Sequence, residues 1–263
     1  MVLKPGLMHI LNPNLMKTKH HNPVLLLATL CLALSSCVNN NPQTLNDGVV
    51  EGGYHGIDVS HHQGTIDWEK VSSDTCIQFV YIKATQGATF QDSEYKTNIK
   101  QAQKHGLKCG SYHYFTMLSK SDAQFDNFKN TTAEYTQDLI PMVDVELDKQ
   151  DKNGWKINGV HTSKRMPKER ERVILTLSNL LNLFEKEYGC KPIIYCTYAA
   201  YVQVIKGEFE DYPIFLASYR SRAHFDDYLI WQYSEKGHVD GIEGYVDLDR
   251  FHEGVTLKDI ELR

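Results

Sequence analysis

Short apolar segments typical of β-strands alternate along the chain with segments that have the periodicity of amphipathic helices. Strands alternating with helices indicate a mainly parallel sheet, and eight strands in about 200 residues favour a closed barrel. The sequence therefore predicts an α/β fold, a single irregular TIM-barrel-like (β/α) barrel. The predicted strands cover residues 56–60, 78–84, 107–115, 139–146, 191–197, 213–219, 228–234 and 245–251.

Two intervening segments have clear helix ends. The helical pattern over 92–106 closes at Gly106, and the one over 167–188 is followed by Gly189, the residue that most often caps a helix carboxyl end. The links between the last three strands are too short for full helices. We therefore expect tight connections there, with antiparallel pairing in the final quarter of the barrel.

The first 36 residues are typical of a secretory signal peptide, with Met16 as an alternative start. An apolar run of about a dozen residues, too short to span a bilayer, follows two lysines. It ends in "LSSC", which resembles the lipobox of bacterial lipoproteins, in which the cysteine, here Cys37, is lipidated. The alternative is an ordinary signal peptide that contains a cysteine. Residues 37–53 are predicted to be a polar tether, and 54–263 the barrel.

A lipidated Cys37 predicts a protein of the bacterial cell envelope, anchored by its lipid to the outer membrane or cell surface. The formal net charge of −5 at pH 7 argues against nucleic acid as a partner. One basic run, 161–172, either contacts an anionic polymer or is largely the solvated start of a helix. Because no exposed apolar stripe is evident, a monomer is expected.

The sequence contains no motif for a cofactor or a metal. The cysteines beyond the signal lack the paired CxxC spacing of a zinc site. Cys109 and Cys196 lie in strand-like segments and are expected to be small core residues. The adjacent His61 and His62 have no third ligand in view, so we expect a loop or hydrogen-bonding role for them.

Two acids, Asp144 and Glu146, interrupt the apolar segment "LIPMVDVELD" at 139–148. In a strand, residues i and i+2 share a face, with Cα atoms about 6.5 Å apart. They stand at the carboxyl end of their strand, where the active sites of barrels collect. Asp58 in the first strand and Asp247 in the last occupy matching places, and these two strands are neighbours in a closed barrel. The sequence therefore predicts four carboxyl groups at one mouth.

Carboxyl groups in such a cluster repel one another unless some are protonated, or a cation or substrate lies between them. One use is glycoside cleavage, in which one carboxyl protonates the leaving oxygen and another supports the oxocarbenium-like centre. Another is binding of a hard metal cation. For the Asp144–Glu146 pair alone, helix capping or an ion pair with Lys149 is the structural alternative. Tyrosines at the strand ends, with flat faces and hydroxyls, favour carbohydrate.

Motifs spread over the chain match one enzyme family. "GIDVSHHQGTIDW", "PMVDVE", "PIIYCTYAAY" and "WQYSEKGHVDGIEGYVDLDRF" resemble, in order, glycoside hydrolase family 25, the Chalaropsis-type lysozymes. The resemblance extends from Tyr54 to Phe251. It implies a hydrolase, a lysozyme (N-acetylmuramidase) that cleaves the β-1,4 bond between N-acetylmuramic acid and N-acetylglucosamine. The expected partners are therefore the glycan strands of peptidoglycan, without a cofactor.

The resemblance also implies roles for individual residues. Glu146 matches the general acid, and Asp144 is its partner, which stabilises charge or orients the substrate acetamido group as an internal nucleophile. Asp58 and Asp247 match the two further acids of the catalytic cluster. The expected substrate-binding residues are Lys83, Tyr112, His113, Tyr114, Tyr195, Tyr219 and Gln232. Of these, His113 is expected to be a buried, hydrogen-bonded histidine near the site and not a proton shuttle.

Two positions depart from the family pattern. Gln86 stands where the family usually has Glu, which removes a negative charge near the mouth. Asp249 stands where Asn is common and, by strand alternation, shares a face with Asp247, either within the mouth or beyond it. These departures leave a second hypothesis, a catalytically weak or inactive carbohydrate-binding barrel. A metal-dependent hydrolase that uses the same acids is the third.

Overall fold

The described part of the protein is the predicted barrel with the segment just before it. The structure is a computed structural model that describes residues 53–219 and 227–263, and the backbone of 44–45 and 48–49. The predicted signal and Cys37 lie outside the described residues. Thr44–Leu45 pairs antiparallel with Gly48–Val49 inside the predicted tether. None of the helices in the described ranges combines the length and hydropathy that a membrane-spanning segment needs.

Eight strands of the described residues close into one barrel, as the sequence predicts, and each overlaps its predicted segment. In chain order they are β1 (Gly56–Val59), β2 (Phe79–Gln86), β3 (Lys108–Tyr114), β4 (Met142–Val145), β5 (Ile193–Thr197), β6 (Ile214–Ala217), β7 (Ile230–Gly237) and β8 (Val246–Phe251). The strands from β1 to β7 are parallel neighbours in chain order, and β8 lies between β7 and β1 and closes the barrel.

Strand β8 runs antiparallel to both of its neighbours. The expected antiparallel pairing in the final quarter is therefore confirmed. In register, Asp247 of β8 lies directly opposite Asp58 of β1. The start of β8 consequently meets the carboxyl ends of the parallel strands, at the end of the barrel that we call the mouth.

Helices cover the outside of the barrel. The longest one matches its predicted bounds: Pro167 occupies its first turn, and Gly189 ends it in the left-handed region with φ 72°. The Gly189 N–H donates to the Glu185 carbonyl at 2.9 Å, which satisfies one of the unpaired carbonyls of the last turn. In chain order the helices are α1 (Trp68–Ser73), α2 (Tyr95–Lys104), α3 (Ser121–Thr132), α4 (Pro167–Tyr188) and α5 (Tyr198–Ala200), which continues as a π-helical turn over Tyr201–Ile205.

A large apolar core lies between the strands and the helices. Val143 and Val145 of β4 are fully buried there, together with Phe184 of α4. Cys109 and Cys196 are also fully buried in this layer, which confirms that they pack as small core residues. The side chains at alternate positions of the strands point the other way, into the barrel.

The end of the barrel opposite the mouth is filled by aromatic rings. Phe79, Tyr81 and Phe251 are buried in a second, inner core, and the rings of Phe79 and Phe251 lie 5.0 Å apart. Gly56 makes room for them, because a Cβ atom at this position would lie 2.3 Å from the Phe79 ring. An apolar floor therefore closes one end and leaves the polar inward side chains at the mouth.

A small hairpin follows β4 and lies beside α4. It pairs Lys156–Ile157 with Val160–His161. The His161 ring contacts Glu169 of α4 through Nδ1 at 2.9 Å and Asp151 through Nε2 at 3.2 Å. These contacts fix the hairpin against the helix layer.

Candidate active site

The four predicted acids converge at the mouth of the barrel. Asp58 lies on β1, Asp144 on β4, Glu146 one residue beyond β4, and Asp247 on β8. Their negative charges act on one another: Asp58, Asp247 and Glu146 all raise the pKa of Asp144. The structure therefore brings together the complete set of acids that the sequence singled out.

Asp144 is the more deeply placed carboxyl of the β4 pair. Its side chain is buried, and Oδ1 has no hydrogen-bond partner among the described residues. Burial raises the pKa of Asp144 well above its usual range, the charge of Glu146 adds to this, and Lys83 opposes it. A buried carboxyl with an open oxygen is suited to receive a polar group of a bound ligand.

Glu146 stands at the opening and is partly exposed. The Tyr114 hydroxyl donates a hydrogen bond to Glu146 Oε2 at 3.3 Å. Burial raises the pKa of Glu146, whereas the Tyr114 hydrogen bond and the Lys83 charge lower it. A carboxyl that keeps its proton to a higher pH and remains accessible has the properties of a general acid.

Gln232 connects Asp58 to two tyrosines across the barrel. Its Nε2 donates to Asp58 Oδ2 at 2.6 Å. Its Oε1 accepts from the hydroxyls of Tyr195 at 2.8 Å and Tyr219 at 2.6 Å. The two hydroxyl donors fix the amide so that its NH₂ group faces Asp58. This network fixes four of the predicted site residues in one arrangement.

Asp58 and Asp247 form a carboxyl pair between β1 and β8. Burial raises the pKa of Asp58 to about 7, although the hydrogen bonds from Gln232 and Asp247 lower it. Burial and the Asp58 charge raise the pKa of Asp247 to about 9. Burial and mutual repulsion therefore favour a shared proton in this pair, held in a hydrogen bond between the two carboxyl groups.

Lys83 of β2 supplies a buried positive charge at the mouth. Its Nζ lies 4.7 Å from the centre of the Tyr114 ring and donates to Gln86 Oε1 at 3.3 Å. Because Gln86 is neutral, it accepts this hydrogen bond without neutralising the lysine. The Lys83 charge thus lowers the pKa of both Asp144 and Glu146.

Tyr112 also points into the barrel, close to the acids. It is buried, and burial followed by the charges of Asp58 and Asp144 raises its pKa well above the usual range. Its hydroxyl is therefore a neutral hydrogen-bond donor beside the carboxyl groups.

His113, predicted to bind substrate, does not reach the mouth. It is fully buried on the helix side of β3. There Nδ1 contacts Thr85 Oγ1 at 2.7 Å and Nε2 contacts Gln124 Oε1 at 3.2 Å. Burial lowers the pKa of His113 to about 4. The alternation that points Tyr112 and Tyr114 inward excludes His113 from the site, and this histidine has a packing role.

Asp249 is a fifth inward carboxyl and lies deeper than the other four. It shares the face of Asp247, as strand alternation predicts, but pairs in register with Gly56 near the aromatic floor. It is completely buried, and neither carboxylate oxygen has a partner among the described residues. Burial, and then the Asp58 charge, raise the pKa of Asp249 well above its usual range.

The sequence reasoning missed Phe90, which lies beside Lys83 at the edge of the mouth. Its side chain is 42% exposed. Its ring centre is 5.8 Å from the His61 ring and 5.9 Å from Lys83 Nζ. The available signal was a single aromatic residue within the polar segment that follows a strand. An exposed ring of this kind offers a flat apolar surface to a ligand.

His61 has the hydrogen-bonding role expected for the histidine pair. Its Nδ1 lies 2.6 Å from Asp92 Oδ2, and its backbone N–H donates to the same oxygen at 3.0 Å.

Across the described ranges, no group of three or more His, Cys, Asp or Glu side chains is arranged to hold a metal ion.

The assembled site is a cluster of carboxyl groups at the mouth, with tyrosine hydroxyls around it. Burial and mutual repulsion keep protons on several of its carboxyl groups, so it can donate a proton near neutral pH. Its tyrosines and Gln232 provide hydrogen bonds to a polar, uncharged ligand. Acid-assisted cleavage of a glycosidic bond is chemistry that these groups can perform.

Comparisons with known proteins agree with this interpretation. The sequence pattern of the family described as "Glycosyl hydrolases family 25" matches residues 57–242. The chain is 35% identical over 205 residues to the uncharacterized protein YegX of Escherichia coli (strain K12), covering 75% of this chain and 69% of YegX. It is 31% identical over 204 residues to the autolytic lysozyme of Clostridium acetobutylicum. The match covers 77% of this chain and 57% of that lysozyme. The solved structure of a family 25 glycosyl hydrolase from Bacillus anthracis superposes with a TM-score of 0.65 at 30% sequence identity. The match covers 79% of this chain and 96% of the Bacillus anthracis chain.

We predict that Asp249→Asn stabilises the protein increasingly as the pH rises. The folded-state pKa of Asp249 is raised, so above the unfolded pKa of about 3.9 the unfolded chain loses a proton that the folded chain keeps. Stability is lost over this range, up to the folded pKa. Asn carries no proton in either state and avoids this loss. Urea unfolding of both proteins at a series of pH values measures the difference in the free energy of unfolding.

The expected difference is near zero at about pH 4 and grows by up to about 1.4 kcal/mol per pH unit. Asp240→Asn, at an exposed surface position, serves as the control and should show no such growth. A constant difference between Asp249→Asn and the wild type at every pH would mean that Asp249 is ionised in the folded protein.

Proposed function

This chain belongs to family 25 of the glycosyl hydrolases, and on that premise we propose that it is a lysozyme acting on peptidoglycan. The reaction is hydrolysis of the β-1,4 bond between N-acetylmuramic acid and N-acetylglucosamine. The observation that carries this proposal is the convergence of Asp58, Asp144, Glu146 and Asp247 at one mouth. The autolytic lysozyme among its relatives supports the same reaction.

In this proposal Glu146 is the general acid. Its raised pKa and partial exposure favour a protonated carboxyl that can reach the glycosidic oxygen. The proton passes from Glu146 to that oxygen as the bond to C1 of N-acetylmuramic acid breaks. The Tyr114 hydroxyl, bonded to Oε2, orients the carboxyl and supports the carboxylate that forms.

Asp144 acts on the substrate acetamido group in the same step. The acetamido oxygen attacks C1 as the leaving group departs, and Asp144, whose ionised form the Lys83 charge favours, orients the N–H and offsets the positive charge that develops. Water then attacks C1 as the bond from C1 to the acetamido oxygen breaks, Glu146 takes the proton from the water, and the configuration at C1 is retained. The open Oδ1 of Asp144 supports this role, because the acetamido N–H provides the missing donor.

One wall of the site is formed by Asp58, Asp247 and Gln232. Because Gln232 is held by two tyrosine hydroxyls and bonds to Asp58, this wall is rigid before substrate arrives. Lys83, Tyr112 and Tyr114 form the other side, with hydroxyl and ammonium donors suited to sugar oxygens. We propose that the mouth binds the glycan strand between these two walls, without a cofactor and with the protein acting as a monomer.

We predict that Glu146→Gln slows cleavage strongly while binding is kept. Loss of a general acid typically slows a reaction by about 10² to 10⁴-fold. The full chain, purified in a mild detergent, would be incubated with purified peptidoglycan, and the released reducing ends identified by mass spectrometry. The wild type should release fragments ending in reducing N-acetylmuramic acid.

Glu253→Gln is the matched control, because it makes the same change at an exposed position beyond the far end of β8. It should cut like the wild type, and activity should survive a chelator. If the wild type binds peptidoglycan without cutting it, the barrel is a carbohydrate-binding module. Activity that a chelator removes would instead support the metal-dependent hydrolase.

We predict that Lys83→Gln moves the alkaline limb of the pH–activity profile to higher pH. Glu146 acts in its protonated form, so activity is lost as the pH rises through its pKa, which the Lys83 charge lowers. Without that charge the proton is kept to higher pH. The measurement is kcat/KM from about pH 4 to about pH 9. Lys100→Gln, on the exposed face of α2, is the control and should leave the alkaline limb where it is in the wild type. If the alkaline limb of Lys83→Gln stays in place or moves to lower pH, Lys83 does not lower the pKa of Glu146.

We also propose that the protein is lipid-anchored through Cys37 in the bacterial cell envelope, at the outer membrane or cell surface. The support is the "LSSC" segment after a short apolar run.

We predict that Cys37→Ser abolishes incorporation of labelled palmitate and prevents processing of the signal. The readout is autoradiography of membrane and soluble fractions from cells that express each form. Cys31→Ser is the control, and equal labelling of both variants would argue against lipidation at Cys37.

A further inference from the structure

A second concave surface lies beside the mouth, between α3 and α4. This groove has a volume of about 780 Å³ and is open to solvent. One wall is the segment 117–122, which joins β3 to the start of α3. The other wall is one face of α4, where the lining residues follow at intervals of three and four. Those residues of α4 are Arg172, Thr176, Asn179, Asn182, Leu183 and Lys186.

The groove is positively charged, although the chain as a whole carries −5. Three cations line it, Lys120, Arg172 and Lys186, with one acid, Asp122. Among the described residues, none of these cations has a carboxylate oxygen within 4 Å. They are therefore available to an anionic ligand.

The basic run 161–172, predicted to be either an anion contact or the solvated start of a helix, contains side chains that pair with acids of the same chain. Arg170 pairs with Glu208 at 2.8 Å, and His161 lies between Asp151 and Glu169. Arg172 instead lines the groove. Within the run, Arg172 thus faces this groove, whereas Lys164 lines a separate cavity together with Arg170.

Hydrogen bonds fix the segment 117–122, which extends from the mouth into the groove. Gln124 Oε1 accepts from the Thr116 N–H at 3.0 Å, and Gln124 Nε2 donates to the Ser119 carbonyl at 3.1 Å. Asn158 Oδ1 accepts from the Met117 N–H at 2.8 Å. Met117 follows Tyr114 by three residues, so their Cα atoms lie within about 11 Å of each other.

We propose that this groove binds the acidic peptide stem that peptidoglycan carries on its N-acetylmuramic acid residues. The inference rests on the proposed function and names the part of the substrate that lies outside the mouth. The stem has free carboxylates, which suit the three cations, and small apolar side chains, which suit Leu118, 77% exposed, and Leu183. A stem of four or five residues extends over about 13–18 Å, enough to reach from the mouth into the groove.

The test compares two substrates: glycan strands with their peptides, and the same strands after an amidase has removed the peptides. The protein is the full chain in mild detergent, as wild type and as the triple variant Lys120→Ala, Arg172→Ala, Lys186→Ala. The measured quantity is the ratio of kcat/KM on peptide-bearing strands to kcat/KM on bare strands. We expect the triple variant to lower this ratio about tenfold, the effect of three exposed ion pairs of ordinary strength. Added salt should lower the wild-type ratio as well.

A matched triple variant separates local binding from total charge. Lys96→Ala, Lys100→Ala, Lys104→Ala removes three exposed lysines from α2, and its ratio should equal that of the wild type. The proposal of a peptide-binding groove is overturned if all three proteins give the same ratio. It is also overturned if both triple variants lower the ratio by the same factor. If the wild type cuts neither substrate, the proposed function itself fails. In that case, binding of soluble peptide-bearing fragments, measured by titration calorimetry with wild type and both variants, still tests the groove.

Discussion

Burial of several carboxyl groups beside one another is the interaction on which this site depends. Water would keep each group ionised at neutral pH, but the barrel interior removes that water and places further carboxyls nearby. The pKa of Asp58 rises to about 7 and that of Asp247 to about 9. Protons therefore remain in the site at a pH where isolated carboxyls have lost them. The buried charge of Lys83 limits this effect at Asp144 and Glu146.

The remainder of the barrel makes that burial possible. An aromatic floor seals the far end, and Gly56 lets the Phe79 ring lie against the backbone. Above it, Gln232 occupies the centre with its amide satisfied by two tyrosines and Asp58. A buried amide with fixed partners allows little reorientation. Asp58 is consequently held in place by hydrogen bonds that exist before a substrate arrives.

Strand and helix positions were predictable because each depends on local periodicity. The Asp144–Glu146 pair was predictable for the same reason, since alternation alone puts both on one face. His113 is the buried, hydrogen-bonded histidine that was expected, but its assignment to substrate binding was wrong, because alternation turns it away from the face of Tyr112 and Tyr114. The link from Gln232 to Tyr195 and Tyr219 was not predictable, because contacts across a barrel depend on strand tilt and stagger. Phe90 was missed because its position depends on a two-residue strand beside β2.

The reversed direction of β8 explains the different surroundings of Asp247 and Asp249. In a parallel strand, the later of two inward residues lies nearer the mouth. Because β8 enters from the mouth, Asp247 lies there opposite Asp58, and Asp249 lies one layer lower opposite Gly56. The link before β8 is too short for a helix, so a parallel return was not available. One short connection therefore places one aspartate among the acids at the mouth and buries the other beneath them, where burial raises its pKa.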